Sequence, residues 1–307
     1  MGGCGYIGTH LASKLLSRGI KIVVVDDQSG PNHFSQISAA TYLKISLNAD
    51  DSVAQLIKNF EITPPETVIH LAGFKSVEKS VISPFLFREN NLKSTTNLIK
   101  AMNQFGVKNV IFSSSAAVYG SNTTRVNEES KIQPITEYGR IKFIEEGLFR
   151  NYVDSVGGHC AILRFFNVIG AASPLYREIA GENIFPRIHK SIIENSIFHI
   201  FGNKYGTLDG TCVRDYVDVR DVITAIEKSI DLLNYSDVGI LNIGSGQGTS
   251  VLEIVKSINK IRKLKFDFSD FRPGDIPKLI SDSSKAKKLI DWQSNYTVDE
   301  SVISSFG

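Results

Sequence analysis

Few stretches of sequence restrict a fold as tightly as a glycine loop opening onto a helix, and this chain starts with one. Gly2-Gly3-Cys4-Gly5-Tyr6-Ile7-Gly8 is a G-x-x-G-x-x-G pattern at Gly2, Gly5 and Gly8, and an amphipathic helical pattern follows over Tyr6–Arg18. Glycines let the backbone turn tightly and approach a pyrophosphate, and the helix behind them aims its free N–H groups and dipole at the phosphate charge. The apolar run Ile20–Asp26 (IKIVVVD) ends in an acid at the distance where a ribose-binding carboxylate is expected. A carboxylate there accepts hydrogen bonds from a 2′-hydroxyl and repels a 2′-phosphate, which favours NAD over NADP. The glycines alone could be a plain turn; the helix and the acid-ended strand give the pattern its meaning.

The first half continues in the same alternation. Strands are expected at Thr41–Leu47, Thr67–Ala72, Val107–Ser113 and His159–Phe165, and helices at Asp51–Phe60, Phe85–Phe105 and Glu137–Val156. Short continuous apolar runs between longer amphipathic segments predict an α/β fold, a doubly wound parallel sheet of the Rossmann type. The first strand of such a sheet should precede the glycine loop, which here begins beside Met1. Its absence is expected to leave neighbouring ladder groups unpaired, so that the chain as written binds NAD poorly and is unstable. After Asn167, prolines and glycines break the chain into shorter elements, with helices expected near Val219–Leu233, Thr249–Ile261 and Ser283–Ile290 and a strand at Gly239–Ile243. The division expected is an NAD-binding domain at 1–167, with return segments near 213–245, and a smaller α/β substrate-binding region at 168–307.

Charge and cysteine usage narrow the function. Lys plus Arg total 34 against 32 for Asp plus Glu, a formal charge of +2, which speaks against nucleic acid or a membrane surface as the main partner. Cys4, Cys160 and Cys212 form no C-x-x-C pair and read as reduced thiols of a cytoplasmic protein. No run of about eighteen apolar residues predicts a membrane span, and no cluster has metal-ligand spacing. His70 reads as a packed imidazole rather than a catalyst.

Tyr138-Gly-Arg-Ile-Lys142 is a Y-x-x-x-K pattern, which on a helix puts phenol and ammonium on one face. A free tyrosine is a poor base at neutral pH, and an adjacent cation stabilises its phenolate. Upstream, Ser113–Ser115 closes an apolar run at the carboxyl edge where such sheets bind ligands. A serine there can hydrogen-bond a reacting hydroxyl. Alone, Y-x-x-x-K is common on inert helix surfaces; the glycine loop and the serine-rich strand end make it a catalytic candidate.

With these motifs in place the chain resembles the extended short-chain dehydrogenase/reductase family, and within it the UDP-glucose 4-epimerases. The resemblance runs through GGCGYIGTH, HLAGFKSVEKS, ENN, SSSAAVYG, EYGRIK, LRFFN, DGTCVRDY and RPGD. It implies NAD-dependent inversion at C4 of a UDP-hexose through a transient 4-keto sugar, and a homodimer pairing the two long helices as a four-helix bundle. By the same resemblance, Tyr138 is the base for the 4-hydroxyl, Lys142 tunes it and holds the nicotinamide ribose, and Ser115 orients the hydroxyl. Gly2, Gly5, Tyr6, Ile7, Gly8, Asp26, Lys75, Asn90, Ser113 and Phe166 are implied in the NAD site. Asn167, Asn183, Arg214, Arg272 and Asp275 resemble UDP contacts. The two arginines can each fork onto diphosphate oxygens.

Some positions depart from the family pattern. Ala117, Phe165 and Ser46 stand where Thr, Tyr and Asp are common, Leu279 lies where a residue gates the sugar pocket, and a short carboxyl end implies a lost final helix. Leu279 is intermediate in size and leaves the Glc/Gal and N-acetylhexosamine pairs both open. A 4,6-dehydratase would need an acid/base pair where this chain has Ala116 and Ala117. A net oxidoreductase would lack DGTCVRDY and RPGD, and a truncated, inactive dinucleotide-binding product is the remaining alternative.

Overall fold

The computed structural model describes residues 1–30, 37, 40–120, 125–272 and 274–307. α1 (Tyr6–Ser17) leads to β1 (Val23–Asp26), which pairs in parallel with β2 (Thr41–Lys44). α2 (Ser52–Phe60), β3 (Thr67–His70), α3 (Val77–Ile82) and α4 (Pro84–Phe105) follow. β4 (Asn109–Ser115) runs into a 3-10 turn, and after β5 (Arg125–Val126) come α5 (Glu137–Val156) and β6 (His159–Phe165). β3 pairs with β4 and β4 with β6, all parallel. The apolar side chains of β4 and β6 are buried on both faces, which is why these strands read as unbroken runs.

The parallel strands are interrupted beside the glycine loop. β1–β2 and the β3-containing sheet are separate ladders, and Met1 lies between them. Its α-amine donates to Ile69 O at 2.7 Å and its carbonyl accepts from Leu71 N at 3.0 Å, while Gly2 N donates to Val25 O at 2.8 Å. Met1 and Gly2 together thus tie the two ladders. Burial pushes that amine down to about 6.

The second half adds β7 (Asn167–Ile169), α6 (Ile184–Ile193), β8 (Phe198–Phe201) and β9 (Val213–Asp218). α7 (Val219–Leu233) returns to the parallel sheet and β10 (Gly239–Ile243) pairs with β6. β11 (Gly248–Ser250), α8 (Val251–Asn259), β12 (Phe266–Ser269) and β13 (Lys278–Ser281) belong to the smaller layers, and α9 (Ser284–Ile290) packs with α7 against the parallel sheet. β9 pairs with β7, β11 and β13, and β12 with β8.

The expected loss of a final helix is corrected by α10 (Val298–Phe306). Thr297 and Glu300 form a reciprocal capping box at its start. Val302 and Phe306 then pack against Phe185 and Ile254 in a third apolar cluster, beside the two that sandwich the parallel sheet.

Candidate active site

At the carboxyl ends of β4 and β6 a cavity of about 350 Å³ opens, bounded by the start of α1 on one side and by α6, β8 and β9 on the other. Its shape begins with the glycine loop. Gly2 has φ +75°, and a Cβ there would stand 2.6 Å from Ala72 N; a Cβ on Gly8 would stand 2.4 Å from Gly2 O. Only glycine lets α1 start this close to the sheet. Its N-cap, Gly5, has no side-chain cap, so the first-turn N–H groups of a twelve-residue helix stay open to an anion. The Asp26 carboxylate, ending β1, accepts from Cys4 N at 2.9 Å and Gln28 N at 2.7 Å, fixing it beside the loop.

α5 supplies the candidate catalytic pair. Thr136 caps it by accepting from Gly139 N at 3.2 Å, which sets the first turn so that Tyr138 and Lys142 both face the cavity. Tyr138 is half-buried and its N–H donates to Ser80 Oγ at 3.2 Å. Lys142 is buried, its Nζ 3.1 Å from Glu145 Oε2 and 4.6 Å from the Phe112 ring centroid. Ser113 Oγ donates to His70 O at 3.1 Å, and Ser115 Oγ accepts from Ala117 N at 3.2 Å. β4 therefore extends two residues past the expected Ser113 because Ser115 still pairs in register with Phe165. Below the strand end, Arg164 forks onto Glu146 at 2.9 and 2.7 Å, Glu146 also accepts from Ser114, and Arg164 reaches Tyr119 OH at 2.9 Å. This buried, mutually satisfied network holds β4, α5 and β6 in one geometry.

The far end of the cavity is cationic. Arg272 forks onto Asp275 at 3.1 and 3.0 Å, and Arg214 reaches Ile276 O at 2.6 Å and Asp275 at 3.5 Å. Both arginines thus have internal partners that orient them. Asp215 of the same RDY stretch is fully buried and accepts from Ser245, Gly246 and Ser281; its role is to hold β9 to its neighbours. Asn167 Nδ2 donates to Asp215 O at 3.1 Å, and Asn183 stands at the N-cap position of α6 without a side-chain capping bond. Lys75 makes an ion pair with the buried Glu178, which also accepts from Asn183 Nδ2 at 3.3 Å.

Thirteen of the expected residues line this one cavity: Tyr6, Ile7, Lys75, Ser113, Ser115, Tyr138, Lys142, Phe166, Asn167, Asn183, Arg214, Arg272 and Asp275. Gly2, Gly5, Gly8 and Asp26 sit beside it in the loop and strand end. Asn90 does not line it; its neighbour Asn91 instead grips both backbone groups of Phe74 at 2.8 and 3.0 Å. Leu279 is buried in a small cluster with Ala116 and Phe166 and also does not line it.

Glu178 and Arg187 are among the charged lining residues that escaped the sequence reading. Arg187 lies over the Phe201 ring at 4.6 Å, as Arg272 does at 5.2 Å, and has no carboxylate within ion-pair distance among the described residues. Burial and the Arg272 charge pull its guanidinium below the usual arginine range. Its spacing of four from Asn183 would have marked it had α6 been recognised. Among the described residues no cluster of His, Cys, Asp or Glu could hold a metal, and no helix is long and apolar enough to cross a membrane.

The sequence model described as GDP-mannose 4,6 dehydratase matches residues 1–304. A UDP-glucose 4-epimerase of Bacillus subtilis (strain 168) is 34% identical over 97% of this chain and 92% of its own length. Among solved structures, a UDP-glucose 4-epimerase from Bifidobacterium longum in complex with NAD+ and UDP superposes with a TM-score of 0.89 at 31% identity, covering 99% of this chain and 95% of that one. The UDP-Glc/GlcNAc 4-epimerase from Campylobacter jejuni gives a TM-score of 0.83 at 31% identity, covering 99% and 96%.

Proposed function

The chain belongs to the extended short-chain dehydrogenase/reductase family, in the group that contains the UDP-glucose 4-epimerases, and we propose on that premise that it inverts C4 of a UDP-hexose with NAD as resident cofactor. The observation that carries this reading is a single cavity with Tyr138, Lys142 and Ser115 at one end and Arg187, Arg214 and Arg272 at the other. The uncapped start of α1 and the fixed Asp26 carboxylate fit a dinucleotide pyrophosphate and its adenosine ribose. NAD, when bound, supplies reversible hydride acceptance from the sugar carbon.

The protein's own residues do the rest. Tyr138 takes the 4-hydroxyl proton and later returns it, Lys142 stabilises the phenolate by charge, and Ser115 orients the hydroxyl. The arginines grip the diphosphate through fork-shaped donors. Anchoring by the nucleotide lets the sugar turn over in the pocket without leaving it, so that either face of C4 can be addressed. Gly2, Gly5, Tyr6, Ile7, Gly8, Asp26, Lys75, Ser113 and Phe166 serve the cofactor, with Asn90 on the helix behind them. Asn167, Asn183 and Asp275 serve the nucleotide, and Leu279 acts through Phe166. Residues 1–167 with the return at 213–245 carry NAD, and 168–307 carry UDP-sugar.

The deciding assay follows UDP-galactose to UDP-glucose without net consumption of NAD. Conversion supports the proposal; a 4-keto-6-deoxy product would instead make the chain a dehydratase, against which Ala116 and Ala117 offer no proton-transfer group. Binding without turnover would make it an inactive relative. The Glc/Gal pair is the proposed substrate, and the N-acetyl pair run in parallel tests the alternative.

Two further assignments support the same reading. Exposed apolar side chains gather on α3, α4 and α5, with Ile82 73% exposed, Phe85 77% and Phe143 46%. A second copy of the chain covers them, as the helix pairing of a four-helix bundle requires. The cysteines are buried and free, in keeping with a reducing cytoplasm.

A further inference from the structure

Behind the catalytic pair, α5 carries a charge that the reaction scheme leaves idle. Tyr138, Lys142 and Glu145 fall at i, i+4 and i+7, along one stripe of the helix. The Glu145 side chain is 1% exposed, and its Oε2 lies 3.1 Å from Lys142 Nζ. Its other oxygen accepts from Thr95 Oγ1 of α4 at 2.6 Å, and that hydroxyl is 3.3 Å from His70 Nε2 of β3. His70 Nδ1 is buried and unpartnered among the described residues. Burial, with the Lys142 charge adding to it, holds His70 well below the ordinary imidazole range, so the ring is neutral and adds no charge to the chain.

The other charges around α5 are spoken for. Arg88 of α4 pairs with Glu137 at 2.6 Å, Arg164 of β6 with Glu146, and Lys79 of α3 with Glu182 at 3.0 Å. β4 sets the Phe112 ring against Lys142 and carries no charged side chain. The Met1 amine bears on His70, and Lys75 faces Glu178 across the cavity. Among the described residues, Glu145 is the carboxylate within ion-pair distance of Lys142.

We propose that Glu145 is a positioning residue that sets how much of the Lys142 charge reaches the Tyr138 phenol. The proposal rests on the epimerase reading. An ammonium shared between a phenolate and a buried carboxylate stabilises the phenolate less than an unshared one, because the carboxylate draws it inward and cancels part of its field. That restraint is useful here. An over-stabilised phenolate is a weak base, and the cycle needs a group that both takes and returns the proton near the working pH.

The test is Glu145→Gln, which keeps the shape and the acceptor for Thr95 and removes the charge. The acid limb of the kcat/KM profile for epimerisation should move to lower pH by about one unit or less. The tyrosinate ultraviolet absorbance, taken as the difference between each protein and its Tyr138→Phe counterpart, should titrate lower by the same amount. An unmoved titration, or one moved to higher pH, overturns the proposal. Should thermal melting show the buried amide to unfold the chain, Glu145→Leu is the second variant and the same shift is expected. A chain with no epimerase turnover would sink the reading of the function, while the absorbance titration would still decide the role of Glu145.

Discussion

Four-residue spacing put Tyr138 and Lys142 on one helix face, because a helix turns that spacing into adjacency, and the glycine loop and serine-rich strand end marked the pair as a candidate. What spacing did not reveal is the company they keep. Lys142 is held by Glu145 and lies over Phe112, and neither contact follows from the Y-x-x-x-K pattern. Tyr138→Phe is expected to lower kcat by about 10²–10⁴-fold, the usual span of a lost acid–base group, with UDP affinity by calorimetry little changed. A second residue-scale prediction concerns His189. Its ring stacks on Phe306 at 4.1 Å with Nε2 buried and unpartnered among the described residues, and burial, with Arg177 adding to it, pushes it from 6.5 down to about 4. Between those values the unfolded chain binds a proton that the folded one refuses. Its contribution is therefore intact above pH 6.5 and is lost as pH falls toward 4. His189→Phe should lose less melting temperature than the parent on going from neutral to acid; equal losses would contradict this.

Among elements, those buried on both faces or firmly capped were legible end to end: His159–Phe165, Glu137–Val156, Val219–Leu233 and Gly239–Ile243 fall where the sequence reading put them. Others lacked a local signal. β12 is exposed at all four positions and exists by pairing with β8 far along the chain, so no burial periodicity could announce it. α6 carries a Pro at its third position, which read as a breaker but is tolerated in a first turn. α10 was overlooked although Thr297-Val-Asp-Glu300 is a capping-box signature. The glycine loop opens onto α1 as its sequence predicts, and it yields an element-scale prediction. Gly8→Ala would press a methyl against Gly2 O and the Gly3 backbone; we expect a loss of about 1–3 kcal/mol from overpacking, with weaker NAD retention, read by denaturant unfolding and by cofactor content after gel filtration.

For the molecule as a whole, the cavity joins segments from opposite ends of the chain, from Tyr6 to Asp275, and no window of sequence could show which of its arginines would be tied internally and which left free. The exposed helices α3, α4 and α5 set the prediction at this scale. Phe85→Glu should shift the sedimentation of the chain from dimer to monomer while leaving its melting temperature nearly unchanged, since Phe85 is 77% exposed in the single chain; a chain already monomeric at high concentration would refute the pairing.

The chain holds one tryptophan, Trp292, 1% exposed, its indole N–H donating to Asp221 O at 2.8 Å. It is packed with α7 and α9 in the first apolar cluster. The protein therefore has a native fluorophore that does not line the cavity holding Tyr138. A red shift of its emission would report solvent reaching this cluster, so that loss of structure can be followed optically in any variant, active or not.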